Sequence, residues 1–313
     1  MLINLYLILS VIFSGIGLPQ TSIYFDNLTK RDFANYQKEE SPALTIFKVS
    51  EIYPWGLEGT EIEPSARAES ALAVDIDNRQ ILFAYNEKKS LPMASLTKMM
   101  TAIVALENLP NLDAVVTVSR NAALVEGSKM HLWIDEKITL KDLLYGLILK
   151  SGNDAAVAIE EYHDSIKKPQ EKAFIEKMND KAKTLGLKNT QFFDSSGIVE
   201  NKSTALELSI ILDYALRNKT FTQIASTVQY NTKALNGSLE HNMTTTNRLL
   251  RTRADTIAGK TGYSEAADYN FINAFRSPQN HRVVVVILGA SDHDSRFDEC
   301  NKIIDWVYSA YQW

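Results

Sequence analysis

The stretch RVVVVILGA, residues 282–290, is the feature that most constrains the fold of this chain. Its apolar run is continuous, which is typical of a strand whose two faces are both covered. The runs ALAVDID and QILFAYN, around Asn78, predict a hairpin, and DTIAGKTG, residues 255–262, predicts another strand. Strands from both ends of the chain therefore meet in one sheet.

The segment between residues 120 and 250 has mostly helical periodicity. Its apolar residues from 140 to 148 follow the spacing of one helix face, and Thr139 with Asp142 resembles a capping box. Further helices are predicted over residues 171–185 and 204–216. The sequence thus predicts an α+β fold, in which an antiparallel sheet from both chain ends is flanked by helices and carries an inserted helical lobe. A cleft between sheet and lobe is the expected place for a site.

One more helix is predicted where Leu, Met, Ile and Val recur at helical spacing after residue 95. Pro92 is expected in its first turn, a position that proline favours, and Asn108 near its end, before Pro110. A last helix is expected at the C-terminal end. Cys300 lies on its apolar face and is therefore predicted to be a core residue; as the single cysteine it cannot form an intramolecular disulfide.

Composition and charge exclude some classes of partner. Hydrophobic residues make up 45% and charged residues 23% of the 313 residues, which is ordinary for a globular protein. The net charge is −5 and no long basic run occurs. Nucleic acid and anionic membrane surfaces are therefore not expected as main partners.

The first eighteen residues contain no charged side chain. They predict a secretory signal peptide or an N-terminal membrane anchor, with a buried N-terminal helix as the alternative. We expect export, while cleavage stays undecided because no clear small-residue site follows. Residues 19–65 mix charge clusters with scattered Pro and Gly and predict a tether; residues 66–313 are predicted to form the folded domain.

Three short polar motifs follow one another along the chain. Singly each is weak, because the chain also contains Ser165-x-x-Lys168 and Ser119-x-Asn121. Lys168 precedes Pro169, which disfavours helical geometry there. The three motifs together, in this order, belong to one reaction type, attack by an activated serine. They are Ser95-x-x-Lys98 in a predicted helix, Ser151-Gly152-Asn153 between two helices, and Lys260-Thr261-Gly262 at a strand end.

Lys98 is the candidate base for this chemistry. A serine hydroxyl needs a base, and none of the five histidines lies in a context typical of a triad or a metal site. Lys98 must be neutral when it acts, which requires lowering its pKa from about 10.4 towards 7, or about 4–5 kcal/mol. We expect three causes: apolar neighbours, the charge of Lys260 and the positive end of the helix dipole. No cofactor or metal is expected.

Residues 66–312 resemble the low-molecular-mass penicillin-binding proteins, the group of D-alanyl-D-alanine carboxypeptidases and endopeptidases. The resemblance implies a fold of the DD-peptidase and β-lactamase type for residues 66–313. It also implies action outside the cytoplasm on peptidoglycan stem peptides, with β-lactams as covalent inhibitors. The similar stretches include SALAVDIDNRQILFAYNEKKSLPMASLTKMMTAIVALE, GSKMHLWIDEKITLKDLLYGLILKSGNDAAVAIEEY and NRLLRTRADTIAGKTGYSEAADYNFINAF.

The resemblance implies a role for each residue of the first two motifs. Ser95 would attack the carbonyl between two D-alanines, and Lys98 would take its proton. Ser151 would relay a proton to the leaving amine. Asn153 would position Lys98 and the substrate amide.

The third motif and its surroundings would bind the substrate. Lys260 would supply positive potential, and Thr261 would bond the terminal carboxylate. Gly262 would leave room for the peptide backbone along the strand. The N–H of Tyr263 would complete an oxyanion hole with that of the nucleophile, and Arg296 matches a family arginine near the carboxylate.

Some features depart from the family pattern or leave alternatives open. Ser264 and Ala266-Ala267 stand where the family commonly has Thr and Ala-Gly, and no further β-rich domain follows the last predicted helix.

The sequence does not separate carboxypeptidase from endopeptidase and leaves the oligomeric state open. A class A β-lactamase is a rival, although its Glu-x-x-Leu-Asn segment does not occur here. A non-catalytic peptidoglycan-binding module is another. Any membrane attachment is expected from residues 1–18.

Overall fold

The structure, a computed structural model, describes residues 48–49 and 66–311. The strands within these ranges are β1 (Lys48–Val49), β2 (Ser70–Asp75), β3 (Gln80–Tyr85), β4 (Leu91–Pro92), β5 (Val115–Thr117), β6 (Lys137–Thr139), β7 (Lys202–Ser203), β8 (Gln229–Lys233), β9 (Glu240–Thr244), β10 (Thr256–Ser264), β11 (Asp268–Arg276) and β12 (Arg282–Ala290). The helices are α1 (Lys98–Asn108), α2 (Arg120–Leu124), α3 (Leu140–Leu149), α4 (Asn153–Ile166), α5 (Phe174–Thr184), α6 (Ala205–Leu216), α7 (Lys219–Ala225), α8 (Leu249–Thr252) and α9 (Ser295–Ala310).

The main sheet has the strand order β1-β3-β2-β12-β11-β10. All neighbours are antiparallel except β1, which pairs with β3 in parallel through two residues. The continuous apolar run forms β12, which lies between β2 and β11 as its composition predicted. Strands from both chain ends thus share one sheet, which confirms the predicted α+β architecture. Among the strands that the structure describes, β10, which carries the third motif, pairs with β11 alone.

Helices cover both faces of this sheet. The alternating residues of β12 divide between two buried clusters, with Val283, Val285 and Ile287 facing α9 and Val284, Val286 and Leu288 facing α6. Cys300 of α9 is fully buried, and this burial raises the pKa of its thiol well above the ordinary value. Cys300 is a core residue, as predicted.

The helical lobe comprises α1 to α7 and lies between β3 and β10 in the chain. Its elements form where the periodicity placed them. The hydroxyl of Thr139 accepts the backbone N–H of Asp142 at the start of α3, and Thr204 accepts that of Glu207 at the start of α6. These side chains satisfy N–H groups that have no partner within the helix.

The expectation that Pro92 lies in the first turn of a helix is wrong. Pro92 belongs to β4 and pairs with Lys202 of β7, more than one hundred residues later. The helix instead begins with a 3₁₀ turn, Ala94–Thr97, which continues directly into α1. Its predicted end at Asn108 is correct.

The predictions for residues 1–18 lie outside the described residues, as does the predicted tether except for residues 48–49. Of the helices that the structure describes, none has both the length and the apolar character required to cross a bilayer.

Candidate active site

The first motif lies on the turn that leads into α1. Ser95 belongs to the 3₁₀ turn and Lys98 is the first residue of the α-helix. Side chains at i and i+3 eclipse in a 3₁₀ helix, so the two groups face each other. The Nζ of Lys98 lies 2.9 Å from the Oγ of Ser95. Ala94, just before the serine, has a φ of +46°, a left-handed conformation that costs a non-glycine residue about 1 kcal/mol or more.

Two carbonyl oxygens from remote elements also bind the amine of Lys98. The Oδ1 of Asn153 lies 2.7 Å from Nζ, and the main-chain oxygen of Ser196 lies 2.6 Å from it. The amide of Asn153 is oriented by its other end, because its Nδ2 donates to the carbonyl of Glu126 at 2.6 Å. The first two motifs therefore meet at one nitrogen, together with a backbone group that no motif identifies.

Burial lowers the pKa of Lys98 from 10.5 to about 7. Its exposed fraction is 0%, and its chain neighbours Leu96, Met99 and Met100 are buried as well, which agrees with the predicted apolar setting. The negative charges of Asp194 and Asp154 oppose the effect. At neutral pH the amine thus exists partly in its neutral form, which can accept a proton.

Lys260 connects the third motif to the first two, through the hydroxyl of Ser151. Its exposed fraction is 2%, and its Nζ donates to the Oγ of Ser151 at 2.7 Å and to the carbonyl of Thr261 at 2.7 Å. Burial lowers the pKa of Lys260 well below the ordinary value, and the charges of Lys98 and Arg296 lower it further. Ser151 has a φ of +55°, so a left-handed residue occurs at each of the two site serines, Ala94 before Ser95 and Ser151 itself.

Burial is the main cause of the lowered pKa for both amines, which agrees with the predicted effect of the apolar surroundings. The predicted contribution of the Lys260 charge to the pKa of Lys98 is not found; instead the charge of Lys98 lowers the pKa of Lys260. Removal from water disfavours each ammonium by itself.

The other residues of the third motif lie along β10. The Oγ1 of Thr261 lies 2.7 Å from the Oγ1 of Thr246, a residue that the sequence analysis did not single out. A Cβ at Gly262 would lie 3.1 Å from the carbonyl oxygen of Met93 and 3.4 Å from the backbone nitrogen of Leu96. The absence of a side chain at Gly262 therefore lets the strand approach the turn that carries the nucleophile.

Arg296 lies behind the third motif. Its Nη1 donates to the carbonyl of Gly262 at 3.1 Å, and its guanidinium lies over the rings of Tyr269 and Phe297. Burial lowers its pKa to about 10. Tyr263 stacks on Tyr269 with ring centroids 4.4 Å apart, and 52% of its side chain is exposed. Arg296 thus contacts the motif through the main chain of β10.

The competing motif matches do not join this site. Ser119 caps α2, where its hydroxyl accepts the N–H of Ala122. Ser165 is exposed near the end of α4 and donates to the carbonyl of Tyr162. Within residues 66–311, no three His, Cys, Asp or Glu side chains are arranged to hold a metal ion.

The segment after α5 closes the site beside the nucleophile turn. Gly197 has a φ of +83°, and a Cβ there would lie 2.1 Å from the carbonyl oxygen of Ala94. The preceding Ser196 supplies the carbonyl that binds Lys98. This contact has no signal in the sequence, because a main-chain oxygen leaves no trace in residue type.

We expect Gly197→Ala to lower the free energy of unfolding by about 1–3 kcal/mol, because alanine meets both an unfavourable φ and a backbone clash. Urea unfolding measures this change. Gly237→Ala is the matched control, since a Cβ at Gly237 meets no atom within 4 Å. Equal effects of the two substitutions would contradict the close approach.

Comparison with known proteins gives a consistent set of similarities. Residues 58–292 match the family described as D-alanyl-D-alanine carboxypeptidase. The chain is 32% identical over 256 residues to the D-alanyl-D-alanine carboxypeptidase DacF of Bacillus subtilis, a match that covers 80% of this chain and 64% of that protein. It is 27% identical over 252 residues to the D-alanyl-D-alanine endopeptidase of Escherichia coli, covering 79% of each. The crystal structure of the Streptomyces K15 DD-transpeptidase is similar with a TM-score of 0.73 and 30% identity, over 79% of this chain and 99% of that one.

Proposed function

This chain belongs to the D-alanyl-D-alanine carboxypeptidase family, and from that premise we propose that it is a serine DD-peptidase acting on peptidoglycan stem peptides. The observation that best supports the proposal is the buried amine of Lys98, which lies 2.9 Å from the hydroxyl oxygen of Ser95 and has a pKa of about 7. A base with a pKa near the working pH is suited to activating a hydroxyl.

The reaction begins with attack by Ser95 on the carbonyl between the two terminal D-alanines. Lys98 takes the hydroxyl proton as the Oγ–carbonyl bond forms. The N–H groups of Ser95 and Tyr263 stabilise the negative charge on the tetrahedral oxygen. The C–N bond then breaks and leaves an acyl-enzyme on Ser95.

The leaving amine needs a proton at this step. Ser151 relays to it the proton that Lys98 took from Ser95, and Lys98 becomes neutral again. The hydroxyl of Ser151 is held for this step by the amine of Lys260 at 2.7 Å. Lys260 and Thr261 hold the terminal carboxylate of the substrate, with Arg296 adding positive charge behind the strand. Water then hydrolyses the acyl-enzyme and releases the shortened peptide.

Release of a β-lactam from Ser95 is expected to be slow, which separates this proposal from a class A β-lactamase. Asp154 and Asp194 are the carboxylates whose negative charges act on the pKa of Lys98. Both already accept several hydrogen bonds. Asp154 accepts the N–H groups of the Met130–Leu132 segment, and Asp194 accepts those of the Ser196–Ile198 segment. Neither carboxylate is available to activate a deacylating water.

We expect a fluorescent penicillin to label the protein once, at Ser95. Mass spectrometry of the labelled peptide locates the adduct. Ser95→Ala should remove the label, whereas Ser165→Ala, at the competing motif match, should keep it. A folded protein that stays unlabelled would favour a non-catalytic binding module, and rapid penicillin turnover would favour a β-lactamase.

Digestion of defined muropeptides distinguishes the two peptidase activities. Free D-alanine from a pentapeptide indicates a carboxypeptidase, and loss of a cross-linked dimer indicates an endopeptidase. The action is proposed to take place outside the cytoplasm, where the stem peptides are, and the N-terminal segment of residues 1–18 is proposed to direct export.

A further inference from the structure

The neutral form of Lys98 can act on Ser95 only if its lone pair points at the hydroxyl. A neutral amine has two N–H groups and one lone pair, whereas the structure gives Lys98 three oxygen neighbours. Two of these are carbonyl oxygens, which can only accept. When both N–H groups bond to Asn153 and the carbonyl of Ser196, the lone pair is left facing Ser95. The orientation of the Lys98 lone pair toward Ser95 thus depends on the positions of these two oxygens.

The oxygen of Asn153 is held by an α-helix, but that of Ser196 belongs to a turn. The turn is closed internally, because the carboxylate of Asp194 accepts the N–H groups of Ser196, Gly197 and Ile198. These bonds shape the turn. One side of it is also tied to the nucleophile turn, because the Nδ2 of Asn201 donates both to the carboxylate of Asp194 and to the hydroxyl of Thr97.

Ser195 attaches the turn to the surrounding helices. Its main-chain oxygen accepts the hydroxyl of Thr101 from α1 at 2.6 Å. Its own hydroxyl donates to the Oε2 of Glu160 in α4 at 2.6 Å. Ser195 itself is 1% exposed, so its side chain is buried at this junction.

Glu160 occupies a defined place relative to the site. It follows Asn153 by seven residues on α4, about two helical turns, so both side chains project from the same face. One helix therefore holds both carbonyl acceptors of Lys98, one directly through Asn153 and the other through Glu160 and Ser195. A rigid helix keeps their separation constant.

We propose that Glu160 is a positioning residue, which through Ser195 fixes the direction of the Lys98 lone pair. The inference deepens the proposed function and rests on it. Burial raises the pKa of Glu160, and the nearby carboxylates of Asp164, Asp194 and Glu161 raise it further, against the bond from Ser195. Its surroundings thus disfavour the ionised form of Glu160. The presence of a carboxyl group at this position is consistent with a need for its bond to Ser195.

The test is stopped-flow acylation by a chromogenic cephalosporin, which separates the acylation rate constant from the dissociation constant of the initial complex. Glu160→Ala should lower the rate constant by about ten- to a hundredfold, because the turn that carries the Ser196 carbonyl loses its bond to α4 and the carbonyl shifts. The dissociation constant should not change, since the groups that hold the ligand carboxylate are untouched. Glu160→Gln keeps an acceptor oxygen and should retain most of the rate.

Ser195→Ala removes the other half of the bond and keeps the test valid if Glu160→Ala folds poorly. It should slow acylation, and the double variant should lose no more than the more affected single variant, because both act through one hydrogen bond. Glu161→Ala is the matched control; this neighbouring carboxylate accepts from Asn121 and should leave acylation unchanged. Unfolding midpoints verify that each variant is folded.

Several outcomes would overturn the inference. These are an unchanged rate constant in folded Glu160→Ala or Ser195→Ala, an effect confined to the dissociation constant, additive losses in the double variant, or a Glu160→Gln variant as slow as Glu160→Ala. A wild-type protein that is not acylated at Ser95 would instead refute the proposed function. Normal acylation of the wild type and of both single variants would refute only the role of Glu160.

Discussion

Replacing Lys98 by methionine is expected to lower the rate of Ser95 acylation by about 10²–10⁴-fold, the range that a general base contributes. Methionine is unbranched and apolar and suits the buried position, but it cannot accept the hydroxyl proton. The rate is measured with a chromogenic cephalosporin. Because the ammonium is fully buried, we expect the variant to remain folded, which circular dichroism verifies.

Lys168→Met is the matched control for this substitution. Lys168 has the same spacing from Ser165 as Lys98 has from Ser95, but it is exposed in the segment after α4. Its replacement should leave acylation unchanged. Acylation of Lys98→Met at the wild-type rate would exclude Lys98 as the base.

The acylation rate is expected to rise with pH along one acid limb centred near pH 7. Lys98 has a pKa of about 7 and acts only when neutral. At pH 5 about 1% of the amine is neutral, so the rate should be about a hundredfold below its plateau above pH 8. A rate independent of pH between 5 and 8, in protein that remains folded, would contradict this assignment.

Stability gives an independent measure of the same pKa. The pKa of Lys98 is about 7 in the folded protein and near 10.5 in the unfolded chain, so the unfolded chain binds more protons between these values. The contribution of Lys98 to the free energy of unfolding therefore rises as the pH increases from 7 to 10.5. Its total change is about 5 kcal/mol, from 1.36 kcal/mol per pH unit. The difference between wild type and Lys98→Met in urea unfolding at several pH values measures it.

The sequence predicted those helices and strands correctly whose formation is determined by residues close together in the chain. The continuous run in β12, the periodicity of α3 and the cap at Thr139 depend on neighbouring residues alone. Pro92 was assigned wrongly for the opposite reason. Its pairing with Lys202 is a long-range contact, so the helix begins two residues later in a 3₁₀ turn.

The sequence by itself determined which reactive groups are present and in what order. The spacing of Ser95 and Lys98 placed a hydroxyl beside an amine, and the apolar residues around them predicted the burial that lowers its pKa. The strand and helix patterns predicted the α+β architecture, and the resemblance to one family implied the DD-peptidase type of fold. These features were readable because they depend on residue type and short-range spacing.

Only the tertiary structure decided how the amine of Lys98 is oriented toward the hydroxyl of Ser95. The carbonyl of Ser196 and the carboxylate of Glu160 reach the site through chain folding, and Ala94 and Ser151 take left-handed conformations that residue type does not favour. Gly262 also has a role that its motif did not reveal, the close approach of β10 to the nucleophile turn. Main-chain atoms and long-range packing have no sequence pattern of their own, because any residue can supply a carbonyl and only the folded chain fixes where it lies.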